Sequence, residues 1–306
     1  MKLFNRSPAV RVTVAPAVVR PRETVTATIE ADKPIGDVTA ARVEWGYDNF
    51  YRYHWAGRAD SAAAAANDTL WMAGEVGTNY GSERDTDDWV GVTKAEIPIA
   101  TGDFTGFSAS FTVPSWAPAS SPEIARWSCR LVVERSGRDV DERGEFRVVV
   151  GSTDVTADVT ADVTAETGRY MGDGATAIDI VIPSPVWRAG DTVTGTLVLR
   201  PGQDLPDGEA AVCWQRHREH HPLDRYPAAD GWLDGPVMVV GKKIPLRAGS
   251  QLALPFALPL PADAAPTASA VHSSLSWFLA ARLFYAGFTA HQVERVRRGI
   301  VVVNAA

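Results

Sequence analysis

The residues best suited to chemistry lie in one short run, His217-Arg218-Glu219-His220-His221. Three imidazoles and a carboxylate within five residues offer the nitrogen and oxygen ligands that zinc takes, if the backbone turns sharply enough to gather them. His217, His220 and His221 are therefore the candidate metal ligands, and a metalloenzyme there is one reading. The run matches no known catalytic spacing. His-x-Glu occurs at His217–Glu219 without the Pro-Cys-x-x-Cys a zinc deaminase needs, and His-Glu-x-x-His is absent. It follows an apolar stretch ending at Trp214, so a solvated loop is the competing reading. Asp85, Asp87 and Asp88 with Glu83 offer oxygens, but the glycine and terminal glutamate of a calcium loop are missing.

Other reactive arrangements fail on spacing. No Gly-x-Ser-x-Gly occurs. Gly235 to Lys242 resembles a phosphate loop, but its glycines are one residue too far apart and Lys243 stands where Ser or Thr belongs. Cys129 and Cys213 have no neighbouring His to activate them, and each adjoins a Trp in an apolar run. They read as two separate buried thiols in a reducing compartment. No catalytic residue and no cofactor is expected, and the protein is read as a non-enzyme.

A second feature is aromatic. In Trp45-Gly46-Tyr47-Asp48-Asn49-Phe50-Tyr51-Arg52-Tyr53-His54-Trp55 the odd positions 45, 47, 51, 53 and 55 carry rings, the pattern of one face of a β-strand. Tyr47, Phe50, Tyr51, Tyr53 and Trp55, with Trp71 and Trp89 further on, are the candidate partner-binding residues. The alternatives are that these rings fill a core, or that they stack on a carbohydrate or other small ligand.

The elements that must position these residues are strands. Alternating or β-branched runs cover Val10–Val14, Thr24–Ile29, Ala109–Val113, Arg130–Val133, Phe146–Val150, Ile178–Ile182, Thr192–Leu199 and Ile300–Val303, and 20 Pro and 25 Gly punctuate them. Helical periodicity is nearly absent. The chain also repeats itself. Val10–Ile29 falls on Ile178–Leu197 at a shift of 168 without a gap, and Val43 and Trp45 fall on Val212 and Trp214. Ile97-Pro98-Ile99 then matches Ile244-Pro245-Leu246, and Phe111–Pro114 matches Phe256–Pro259. Each half closes on a valine strand. The shift shrinks because the first half carries extra residues between its Trp45 and Ile97 strands, so 48–92 is expected to be a long surface insertion. The two copies are expected at 1–150 and 176–306. Residues 151–175, with the degenerate Asp-Val-Thr-Ala repeat, are expected to form an acidic linker, or alternatively an edge strand.

The doubled order of these pieces resembles the arrestin-like superfamily, which includes arrestin-domain adaptors and bacterial sporulation-control proteins. Ala189-Gly190-Asp191-Thr192-Val193-Thr194-Gly195 keeps the family's opening motif, where the first half has Pro21-Arg22-Glu23. Pro118-Ala119-Ser120 and Pro266–Ser269 look like the motif before the closing strands. The resemblance implies an all-β chain of two tandem arrestin-like, immunoglobulin-like β-sandwich domains. It also implies an adaptor or regulatory scaffold, of the kind concerned with sporulation or cell development, that binds protein partners through loops and sheet edges. No Pro-Pro-x-Tyr motif occurs, and the phosphate-sensing residues of animal arrestins have no counterpart here.

Charge narrows the partners. The 306 residues carry 37 acidic and 30 basic side chains, a net charge of −7, which disfavours a nucleic-acid partner. No apolar run reaches the length of a membrane span and no secretory signal is seen, so a cytoplasmic protein is expected, with peripheral membrane contact left open. Open sheet edges leave a homodimer as an expectation too.

Overall fold

The computed structural model describes residues 9–55, 82–99, 102–287 and 293–305. The chain divides into two compact units: Met1–Val148 with Glu219–Asp230 and Ser269–Ser274, and Val149–Arg218 with Gly231–Ala268 and Leu275–Ala306. The break expected near residue 150 lies at Val148/Val149. Two short segments of the second half belong to the first unit.

The first unit contains β1 (Val10–Ala15), β2 (Val18–Val19), β3 (Thr24–Ile35), β4 (Val38–Trp55), β5 (Ser82–Glu96), β6 (Phe104–Thr112), β7 (Ala125–Arg135) and β8 (Val140–Val148). They form a three-stranded sheet β1-β3-β6 and a five-stranded sheet β2-β8-β7-β4-β5, with every pairing antiparallel except β2 on β8. Strand alternation sorts the side chains of β4. Val43, Trp45 and Tyr47 face inward, where Trp45 stacks on Phe111 at 5.3 Å and Tyr47 lies 4.8 Å from Trp127. Outward on the same sheet, Arg42 meets Glu44 and Glu134 at 2.6 Å each, and Arg130 meets Asp141. A two-residue period thus produces one aromatic face and one ionic face.

The second unit opens with α1 (Ala157–Ala165). It continues through β9 (Gly168–Met171), β10 (Thr176–Val181), β11 (Val186–Arg188), β12 (Thr192–Pro201), β13 (Leu205–His220), β14 (Gly231–Asp234), β15 (Met238–Leu246), β16 (Leu252–Pro259), β17 (Ala268–Ser269), β18 (Ser273–Tyr285) and β19 (Val293–Val303). Its sheets are β10-β12-β16 and β11-β19-β18-β13-β14, with β9 on β19 and β15 on β13, and β11 again runs parallel to β19. Leu197, Val212, Trp214, Leu246, Phe256, Trp277 and Val302 form one buried core, with Trp214 and Trp277 5.3 Å apart.

The duplication read from sequence therefore extends to strand order and to individual hydrogen bonds. Arg20 N–H donates to the Glu23 carboxylate at 2.8 Å, and Arg188 N–H to the Asp191 carboxylate at 2.8 Å. Val148 N–H donates to Ser120 Oγ and Val302 N–H to Thr267 Oγ1, both at 2.9 Å. The Trp127 indole donates to Pro118 O and the Trp277 indole to Ala265 O, both at 2.9 Å.

The segment 151–175 differs from the expected linker. It folds within the second unit as α1 and the edge strand β9. The four-residue repeat puts Val159 and Val163 one turn apart in this helix, with Val163 half-buried and Val159 41% exposed. The helix packs close to β19 at Gly299, where an added Cβ would come within 2.0 Å of the Val163 carbonyl oxygen. The insertion differs as well: 48–55 and 82–92 are strand, continuing the β4–β5 ribbon, and 56–81 lies outside the described residues.

The repeated turn yields a prediction. Arg22 (φ 71°) and Gly190 (φ 84°) occupy the same turn position in the left-handed region. A Cβ at 190 meets nothing nearer than 3.6 Å, so any penalty there is conformational rather than steric. Gly190→Ala should cost about 1 kcal/mol. Arg22→Gly should leave stability unchanged or raise it by up to about 1 kcal/mol, the relief of backbone strain being partly offset by the entropy of glycine in the unfolded chain. Denaturant midpoints of the two variants against wild type check both signs.

Candidate functional site

The aromatic stretch is the far half of β4, and in the first unit it meets β5 on one side. On the other side it meets Ala125 and Ile124 and then Glu219–Asp230 and Ser269–Ser274. Tyr47 and Tyr51 are 1% exposed, so neither offers a ring face to a ligand. For them the core alternative holds, because odd positions on β4 point inward. The Tyr51 hydroxyl donates to Asp88 at 2.5 Å, and its ring lies 4.9 Å from that of His272. Tyr53 lies under the Arg225 guanidinium at 4.7 Å. Trp55, 37% exposed, is covered on one face by Arg84 at 3.8 Å. Phe50 points outward beneath Arg126 and lines an open cleft of about 650 Å³ with Val18, Pro122, Ala125 and Arg147. Trp89 lies under Arg143 at 5.2 Å. Trp71 lies outside the described residues.

Two polar centres in this unit carry no short-range sequence signature. The Asp48 carboxylate, nearly shut off from solvent, receives Arg126 at 3.1 Å and Arg143 at 2.9 Å. Buried Asn49 donates to Ile124 O at 2.8 Å and Ser273 Oγ at 2.9 Å and accepts the His272 amide at 2.6 Å. Partners 75 to 224 residues distant form these centres. The only local hint is a polar pair, Asp48-Asn49, in the middle of an aromatic run.

The three histidines have separate partners. The His217 ring stacks on Trp232 at 3.9 Å, His220 Nδ1 accepts the Arg52 amide at 3.2 Å, and His221 Nε2 lies 3.1 Å from the Ala270 carbonyl. Residues 217 and 220 are three apart on β13, which puts them on opposite faces of a regular strand. Their ring nitrogens form no three-histidine group among the described residues.

Burial holds the protons of Tyr51 and of the two cysteines. Burial, reinforced by the hydrogen bond to Asp88, pushes the Tyr51 phenol up to about 12. Burial pushes the Cys129 thiol up to about 12 and raises that of Cys213. A group whose proton is held this firmly is a poor nucleophile or base near neutral pH. Both cysteines are free thiols; Cys129 is buried, as expected, whereas Cys213 is only half-buried.

No protein-family model and no curated protein matches this chain. No helix among the described residues is long and apolar enough to cross a membrane.

What the ribbon presents is a strand edge. The amides of Phe50, Arg52 and His54 go to Ile124 O, His220 Nδ1 and Tyr226 O, away from β5. The β4 amides that meet β5 are therefore those of Asn49, Tyr51 and Tyr53, paired with Asp88, Thr86 and Arg84. By antiparallel alternation the amides of Asp85, Asp87 and Trp89 point to the outer side of β5. No other strand pairs with that side among the described residues.

The Tyr51 phenol gives a pH prediction. A phenol whose pKa rises on folding binds its proton more tightly in the native state, so stability falls as pH climbs from about 10 toward about 12. Tyr51→Phe should remove part of that loss, so that urea midpoints of variant and wild type differ least at the highest pH in this window. A constant difference from pH 8 to pH 12 would contradict it.

Proposed function

We propose that this protein is a non-enzymatic binding scaffold of the arrestin-like kind, built from two copies of one β-sandwich plan. It takes an extended segment of a protein partner as an added strand on β5. The observation that carries the reading is the outer edge of β5, a 15-residue strand with its outer backbone groups unpaired among the described residues. Strand addition supplies affinity through main-chain hydrogen bonds, and alternate side chains supply selectivity. Glu83, Asp85, Asp87, Asp88 and Glu96 against Arg84 and Lys94 make β5 acidic. Charge on an edge discourages self-pairing and favours a basic partner segment. The strand orders that recur in the two halves support the family reading, as do the paired turn carboxylates. A role in developmental control follows only from the resemblance. The carbohydrate reading is weaker, because the rings it needs at Tyr47 and Tyr51 are buried.

Asp87→Pro tests the proposal. It deletes an outward donor while sparing the amides of Thr86 and Asp88, which face β4. The variant should remain folded by circular dichroism and should lose at least about tenfold in affinity for the partner recovered with the wild-type chain from its native cell. Asp87→Ala, which keeps the amide, should bind within about twofold of wild type. Equal binding by the folded proline variant would remove β5 from the account.

A further inference from the structure

In the second unit, Arg282 of β18 stands directly opposite Arg295 of β19 in the antiparallel register. Their neighbours Ala281, Leu283 and Val296 fill the core, so both guanidinium stems rise from the opposite face of the sheet. Like charges directly across a strand pair destabilise it unless something neutralises them. Neither arginine has an ion pair among the described residues, and the Nε of each is closed off from solvent with no acceptor. Arg282 only caps the Phe284 ring, at 5.1 Å.

Between them opens a cavity of about 90 Å³, lined also by Tyr170, Cys213, Gln215 and Asp234. At about 30 Å³ per water, the space suits a few waters or one tetrahedral oxyanion. The one carboxylate in the lining, Asp234, accepts the Gln215 side-chain amide at 2.9 Å. Beside the cavity, Arg297 is held by three rings, 5.0 Å from Trp232, 5.2 Å from Tyr170 and 5.3 Å from Phe278. The lining thus sets two guanidiniums against one carboxylate, in a protein whose net charge is −7. Arginine forks bind tetrahedral oxyanions through paired N–H donors.

We propose that the Arg282–Arg295 pair is an oxyanion site that takes a phosphate group, free or as a monoester. The anion bridges the two forks and removes their mutual repulsion. This site belongs to the second unit and is independent of strand addition on β5.

The test uses the full chain at constant ionic strength, titrated by calorimetry with inorganic phosphate and, separately, phenyl phosphate. Wild type should bind both saturably with a Kd on the order of 1 mM and gain thermal stability with ligand concentration. Tighter binding of phenyl phosphate identifies an ester as the ligand, and equal binding identifies the free ion. Arg282→Gln and Arg295→Gln should each weaken binding at least about tenfold, whereas Arg297→Gln, in the ring cage, should change it about twofold or less. Without ligand, Arg295→Gln should melt at or above the wild-type temperature, since it relieves the repulsion; a purely structural arginine would lower it. If the glutamine variants do not fold, Arg282→Lys and Arg295→Lys keep the charge, lose the fork and should bind more weakly than wild type. Absence of saturable binding to wild type, or undiminished binding by folded variants of Arg282 and Arg295, overturns the proposal.

Discussion

The architecture of each half depends on one turn, where the chain leaves the larger sheet and enters the smaller. In the first half Glu23 accepts the Arg20 amide, Arg22 donates to Val113 O, and Val113 donates back to Glu23 O. In the second, Asp191 accepts the Arg188 amide, Gly190 donates to Pro261 O, and Leu260 donates to Asp191 O. The crossing leaves β2 and β11 as two- and three-residue strands, each running parallel to the last strand of its half. A carboxylate three residues along the chain satisfies an amide that the change of sheet would otherwise leave without a partner. The left-handed residue inside the turn is tolerable because these bonds over-determine its conformation.

Once the turn fixes the layers, the two-residue period of the strands does the rest. It buries Trp45, Tyr47 and Trp127 in the first unit and Trp214 and Trp277 in the second, and it sends arginines and carboxylates to the outer faces. That division explains why a run so rich in aromatic residues yields few exposed rings. It also explains why two of the ionisable side chains hold their protons firmly: burial disfavours the charged form of Tyr51 and Cys129. Among the described residues, what is left unpaired is backbone at the edge of β5 and arginine at the outer face of β18 and β19.

The strands and the duplication were legible because both are local: alternation within six to ten residues, and the same order of short motifs written twice. Arg20–Glu23 and Arg188–Asp191 could be aligned by eye, and they hold the same bond. Helix α1 was legible in principle, since a four-residue repeat sits close to the helical period, but Val and Thr are weak helix formers and pointed toward a spacer or strand. The Asp48 centre and the Arg282–Arg295 pair were not legible. Each joins residues from different strands, and only the register says which charges stand opposite one another. The histidine run shows the converse: neighbours in sequence need not be neighbours in space. Adjacency in sequence suggested a ligand set, yet strand geometry gives each imidazole a different neighbour.

The central claim is that β5 keeps an open edge, and amide hydrogen exchange on the free protein tests it most directly. The account predicts that Asp85, Asp87 and Trp89 exchange at nearly unprotected rates, while Arg84, Thr86 and Asp88, bonded to β4, exchange at least about a hundredfold more slowly. Equal, strong protection of both sets would mean that the edge is already covered, and strand addition there would be excluded.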